Sequence, residues 1–95
     1  MTARLIVLVK SVKDADTYAK YREVSGAALA KHGAKVVQAS PNPTQLEGAD
    51  NPLATVAIIE FPDADAAHAW YNDPDLADSH AMRREGVELA LYLAG

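Results

Sequence analysis

The sequence predicts an α+β fold in which two βαβ units interleave into one four-stranded antiparallel sheet, with both helices on one face. Three observations predict it. Two short apolar runs, Leu5-Ile6-Val7-Leu8-Val9 and Leu53 to Phe61, read as strands buried on both faces. An Asp-Ala-Asp triplet follows each run, at residues 14 to 16 and 63 to 65, and opens a helical pattern. Two weaker strand patterns follow the helices, so the order is strand, helix, strand, strand, helix, strand.

Each element has its own reason. Aspartates at 14 and 16 can accept the free N–H groups of a first turn and complement its dipole. From there Tyr18, Tyr21, Val24, Ser25, Ala28, Leu29 and His32 fall within one arc at about 100° per residue, and Gly33 supplies the stop. The first helix is therefore expected over residues 14–32. Lys35 to Ser40 has the weaker alternation of an edge strand, and Pro41, Pro43, Gly48 and Pro52 mark a loop with a short extended piece at Thr44 to Glu47. Pro62 ends the second apolar run. Asp63 opens a helix through Trp70 and Tyr71, and Asp73-Pro74 opens another helical piece that stops near Gly86. Val87, Leu89, Leu91 and Leu93 alternate with Glu88, Ala90 and Tyr92 in a last strand with one better-buried face.

At 95 residues the chain fits a single domain, residues 1–95, with a thin core. Of its 47 apolar residues, 19 are Ala and 4 are Tyr, which leaves 24 to fill an interior. A chain this short buries about 60 to 65% of its unfolded surface, and without Cys it has no disulfide or thiolate zinc site to compensate. The net charge of −4 lacks the cationic excess that phosphate-backbone binding needs, so nucleic acid is not an expected partner. Charge is split along the chain: residues 1 to 38 hold seven Lys or Arg and three acids, residues 39 to 95 two and ten. The halves either complement one another or form solvated helix faces. No secretory pattern opens the sequence and no stretch approaches 18 apolar residues, so a cytoplasmic protein without a membrane partner is expected.

In this topology the two apolar runs occupy the middle of the sheet, and the helices cover only one side. Four or five large side chains left wet on the other side would forgo about 1.5 to 3 kcal/mol each. That is comparable with the whole stability of a small domain. The expected solution is sheet against sheet with an identical chain, a two-fold homodimer.

Tyr18-x-x-Tyr21, Lys31-His32-Gly33, Leu46-Glu47-Gly48, Ile59-Glu60-Phe61-Pro62, Ala69-Trp70-Tyr71-Asn72-Asp73-Pro74 and Met82-Arg83 together resemble the family called domain of unknown function 1330, within the dimeric α+β barrel superfamily. The resemblance runs over nearly the whole chain. It departs at Ala34, where the family typically has a second glycine after the first helix, and at Leu76, where it has an aromatic residue. It implies a ferredoxin-like βαββαβ protomer and a dimer whose two sheets form an α+β barrel. It implies no reaction. Elsewhere in the superfamily are cofactor-independent monooxygenases, small-molecule isomerases, decyclising enzymes and haem-handling proteins, and a shared fold does not choose among them.

Several side chains could carry chemistry. His32 shares the inward arc with Tyr18 and Tyr21, so a pocket there could combine an imidazole with two phenols; the alternative is a histidine bound to its own helix end. Glu60 interrupts a central strand, as an acid or base facing inward or as a carboxylate emerging into solvent before Pro62. His80 and Arg83 share a helical face with Leu76 beside Trp70 and Tyr71, where Arg83 either clamps an anion such as a carboxylate or ties a helix to Glu47 or Glu60. His32 and Glu60 are thus the catalytic candidates, and Tyr18, Tyr21, Trp70, His80 and Arg83 the ligand-binding ones. No metal or cofactor is expected, because no His-Glu-x-x-His pattern, EF-hand loop, phosphate loop or dinucleotide fingerprint occurs. The sequence therefore points to a homodimer that binds a small organic molecule, anionic in one form of the reading, between sheet and helices. Cofactor-independent proton transfer or oxygenation is its enzymatic form, and a non-catalytic binding or interaction module is the alternative.

Overall fold

The computed structural model describes residues 2–95. Its elements run β1 (Ala3–Val12), α1 (Ala15–Lys31), β2 (Lys35–Pro41), β3 (Thr55–Phe61), α2 (Ala64–Tyr71), a single 3-10 turn (Pro74–Leu76), α3 (Ala77–Gly86) and β4 (Val87–Ala94). The strands form one sheet in the order β2-β3-β1-β4, every pair antiparallel. The two apolar runs are indeed its central strands, and the topology is ferredoxin-like.

Local chemistry sets the helix starts. The Asp14 carboxylate accepts from the N–H groups of Asp16 and Thr17 at 3.1 and 3.2 Å, and that of Asp63 from Ala66 N–H at 2.7 Å. Each satisfies donors that a first helical turn leaves free. Gly33, at φ 74°, takes the left-handed conformation that ends α1. A second glycine is needed for contact: a Cβ on Gly86 would lie 3.0 Å from the backbone of Tyr18, where the end of α3 meets the start of α1. The Gly86 carbonyl there accepts from the N–H groups of both Lys13 and Asp14.

Three boundaries differ from the sequence reading. β1 is longer than its apolar run at both ends, because β3 and β4 continue the ladder from Ala3↔Phe61 to Val12↔Val87. β3 begins at Thr55, leaving Leu53 in the preceding loop. The extended piece expected at Thr44 to Glu47 is absent, since Gln45 instead closes the loop on itself. Its Nε2 donates to the carbonyls of Glu47 and Ala49 and its Oε1 accepts from Asn51 N–H. Leu46 stands at the tip of that loop, 93% exposed.

The core lies between the helices and one sheet face, where Leu5, Ile59 and Phe61 meet Leu29, Ala67 and Trp70. Phe61 is 0% exposed. The opposite face carries Ile6, Leu8, Val56, Ile58 and Ala90, all half-buried, and Tyr92, which is 62% exposed. Ile6 pairs with both Ile58 and Tyr92 there, so the apolar side chains are contiguous. Charge borders them at one end, where Glu60 on the same face lies 3.6 Å from Arg4 and 3.9 Å from Lys35. A contiguous apolar patch with polar groups at its border fits the anatomy of an interface.

At the sheet borders, β2 carries Lys35, a bulge between Val36 and Gln38, and Pro41, whereas β4 is an eight-residue strand whose charged residue is Glu88. The charge split also has a structural counterpart. Among the described residues, all four ion pairs made by lysine or arginine join a cation of residues 1–38 to an acid of residues 39–95.

Candidate functional site

The site is built from the turn after α2. The Asp73 carboxylate accepts from Asp75 N–H at 2.9 Å and, with Pro74, folds the chain back so that α3 runs beside α1 and behind Trp70. This places His80 and Arg83, one helical turn apart, in the interior at 3% and 4% exposure. The His80 ring meets Trp70 edge-on, centroids 4.9 Å apart and planes at 87°. Trp70 in turn packs on Phe61 at 5.7 Å.

The protonation of His80 follows from its partners. Nε2 lies 2.9 Å from the Trp70 carbonyl oxygen, which can only accept, so Nε2 carries the proton. Nδ1 lies 2.7 Å from Arg83 Nη1, which can only donate, so Nδ1 offers its lone pair. Both ring nitrogens are thereby occupied, and His80 is a neutral support that positions Arg83 rather than a proton carrier. Burial lowers its pKa; the Trp70 carbonyl opposes that, Arg83 and Arg84 lower it further, and Asp73 opposes. Because the unfolded chain binds this proton more readily, the stability present above the ordinary histidine value is lost as pH falls through the lowered folded value. The urea midpoint is thus expected to fall between pH 7.5 and 5.5, and to fall less in His80→Asn. Equal falls in the two proteins would show that this imidazole does not resist protonation.

Arg83 is the unusual group. Its guanidinium carbon lies 5.1 Å from the Trp70 ring centroid, 5.9 Å from Tyr21 and 6.0 Å from Tyr71. Among the described residues no carboxylate lies within ion-pair distance of it. A buried cation ordinarily has an anion, since the penalty for leaving water is several kcal/mol. The aromatic faces offset part of this penalty, at about 0.5–2 kcal/mol each.

Two cavities adjoin this cluster. One, of about 180 Å³, is lined by Leu5, Ala67, His68, Trp70, Tyr71, Leu91 and Leu93. The other, of about 220 Å³, is lined by Tyr71, Arg83, Arg84, Leu89 and Leu91. They share Tyr71 and Leu91, and so lie side by side, on either side of these two residues, in a cleft between α2, α3 and β4. Arg84 Nη2 donates to the Tyr71 hydroxyl at 3.4 Å, and this bond, with the charges of Arg84 and Arg83, lowers the pKa of that phenol.

Of the seven residues singled out from sequence, Trp70, His80, Arg83 and Tyr21 come together. Tyr18 is one step removed, stacked on Tyr21 at 6.4 Å. His32 is elsewhere: its Nε2 lies 2.8 Å from an Asp73 carboxylate oxygen that also meets Lys31 Nζ at 2.8 Å, which ties the end of α1 to the turn after α2. These contacts hold the Asp73 carboxyl far below the usual range. Glu60 faces the other side of the sheet, so neither it nor Glu47 anchors Arg83. Tyr71, Arg84, Leu89, Leu91 and Leu93 line the cleft and were not singled out from sequence. Only the period-two pattern of β4 signalled its leucines. Among the described residues no group of three His, Asp or Glu could hold a metal ion, and no helix is long and apolar enough to cross a membrane.

A family model described as domain of unknown function (DUF1330) matches residues 2–94. No curated protein matches the chain. Among solved structures, a protein of unknown function from Rhodopseudomonas palustris is similar at 24% identity and a TM-score of 0.82, with 97% of this chain and 79% of that one covered. SnoaB, a cofactor-independent oxygenase from Streptomyces nogalater, is similar at 15% identity and a TM-score of 0.56, covering 99% and 89%. A dimeric protein of unknown function with a ferredoxin-like fold from Bacteroides fragilis is similar at 17% identity and a TM-score of 0.54, covering 97% and 93%.

Proposed function

The chain belongs to the family described as domain of unknown function (DUF1330), and from that premise we propose that it is a cytoplasmic homodimer that binds a small organic molecule in the cleft between α2, α3 and β4. The observation that carries the binding site is the pair of adjoining chambers, apolar in one and cationic in the other, beside a cluster of buried aromatic and basic side chains. A cavity of about 150 Å³ lined by apolar side chains holds benzene, so the 180 Å³ chamber has room for one ring. The dimer is supported by the apolar sheet face and by the description of a structural neighbour as dimeric.

Trp70 is the only tryptophan in the sequence and lines the apolar chamber, so its emission reports occupancy. Toluene, a neutral ring-sized probe, is expected to change that emission saturably. Ala67→Leu extends a buried side chain into the chamber and is expected to weaken toluene binding by about tenfold or more, a loss of roughly 1.4 kcal/mol, with the fold kept. Undiminished binding in Ala67→Leu would place the probe elsewhere and remove this reading.

A second reading, cofactor-independent proton transfer or oxygenation in the same cleft, draws support from Tyr71. Its phenol lines both chambers and is made more acidic by its arginine neighbours, which suits proton exchange with a bound molecule. SnoaB is the neighbour in keeping with that reading.

A further inference from the structure

The chemistry of the two chambers narrows what the cleft accepts, and this step rests on the binding site proposed above. Residues 39–95 contain ten acids and two cations, Arg83 and Arg84. Both cations line the second chamber, and none of the acids lines either chamber. Arg83 is 4% exposed and has one side-chain hydrogen bond, from Nη1 to His80. Among the described residues no fully enclosed side-chain nitrogen lacks a partner, so a guanidinium nitrogen of Arg83 without a hydrogen bond keeps some exposed surface, and Arg83 is one of the residues that line this chamber.

We propose that the ligand is a carboxylate on a flat apolar body. The carboxylate lies in the second chamber against Arg83, with Arg84 at its side, and the body lies in the first chamber among Leu5, Trp70, Leu91 and Leu93. The geometry favours this class in three ways. Nη2 and Nε remain for the ligand, and they form the edge of the guanidinium fork that two carboxylate oxygens match. His80 holds Nη1, so the fork is oriented before the ligand arrives and less freedom is lost on binding. One enclosed guanidinium is neutralised by one negative charge, and the apolar chamber that opens beside it rewards a ring rather than a second polar group.

The test is a titration of the intact protein at neutral pH, read by Trp70 emission, with phenylacetate and with phenylacetamide, its uncharged counterpart of nearly the same shape. Wild-type protein is expected to bind the acid about tenfold or more tightly than the amide, the difference a charged hydrogen bond makes. Arg83→Met, which substitutes an unbranched apolar side chain for the buried charge, is expected to bind the two alike. Arg83→Lys keeps the charge without the fork and is expected to retain part of the preference. The wild-type comparison decides the matter even if a variant fails to fold. Equal affinity for acid and amide would overturn the carboxylate inference while leaving the cleft as a binding site. Failure of both compounds to bind at millimolar concentration would overturn the inference together with the site itself.

Discussion

Phe61→Ala is expected to lower the unfolding free energy by about 3–5 kcal/mol. Phe61 is 0% exposed and ends β3 inside the core cluster. Its ring packs on Trp70 at 5.7 Å, and Trp70 carries His80 on its other contacts, so truncation loosens the whole stack. Beyond the buried area, an aromatic pair of this kind contributes about 0.5–1.5 kcal/mol. The loss is large against what this chain can hold, since stability scales as roughly 0.05–0.15 kcal/mol per residue. The sequence also offers few large apolar side chains to collapse into the void. Urea titration followed by circular dichroism measures it, with Leu46→Ala as control. Leu46 is 93% exposed, and its truncation is expected to stay within about 0.5 kcal/mol of wild type. A Phe61→Ala protein no less stable than the Leu46→Ala control would place the core elsewhere.

The second large effect concerns assembly. Ile6 and Ile58 are cross-strand partners at the middle of the sheet face that the helices leave uncovered. Replacing both with Lys puts two like charges side by side where the proposed dimer buries aliphatic carbon. Four such sites change across two copies, and because each isoleucine is already half-buried in the single chain, the larger cost is taking four unpaired ammonium groups out of water, several kcal/mol each even after relaxation. The total of at least about 6 kcal/mol weakens association by roughly four orders of magnitude. The double variant is expected to sediment as a monomer at micromolar concentration while the wild type sediments as a dimer. Both side chains point away from the helices, so the helical signal is expected to persist. A double variant that remains dimeric would assign the contact to another surface, and a monomeric wild type would remove the dimer.

Much of the fold is legible because it rests on periodicity. Leu5 to Val9 and Leu53 to Phe61 can be apolar throughout only if both faces are covered, and that places them centrally. Glu60 was legible in part: Ile59 and Phe61 face the helices, so an alternating strand turns Glu60 the other way, to Arg4 and Lys35. His32 shows where periodicity stops helping. Its arc points inward, yet its partner Asp73 arrives from 41 residues away. The cleft was the least legible part. Its walls come from β1, α2, α3 and β4, and no pattern within one element reveals that β4 is left partly uncovered. Tyr71 reads as a neighbour of a core tryptophan until Arg84 and Leu91 are placed beside it.

The unequal borders of the sheet bear on how the protein behaves when crowded. At one margin a lysine, an extra residue and a proline interrupt any approaching strand. The other margin is long and mostly aliphatic, with Glu88 near its start as gatekeeper. Should chains stack edge to edge into ribbons at high concentration, growth begins from the C-terminal margin, and a charge placed there protects against it more than the same charge placed on β2.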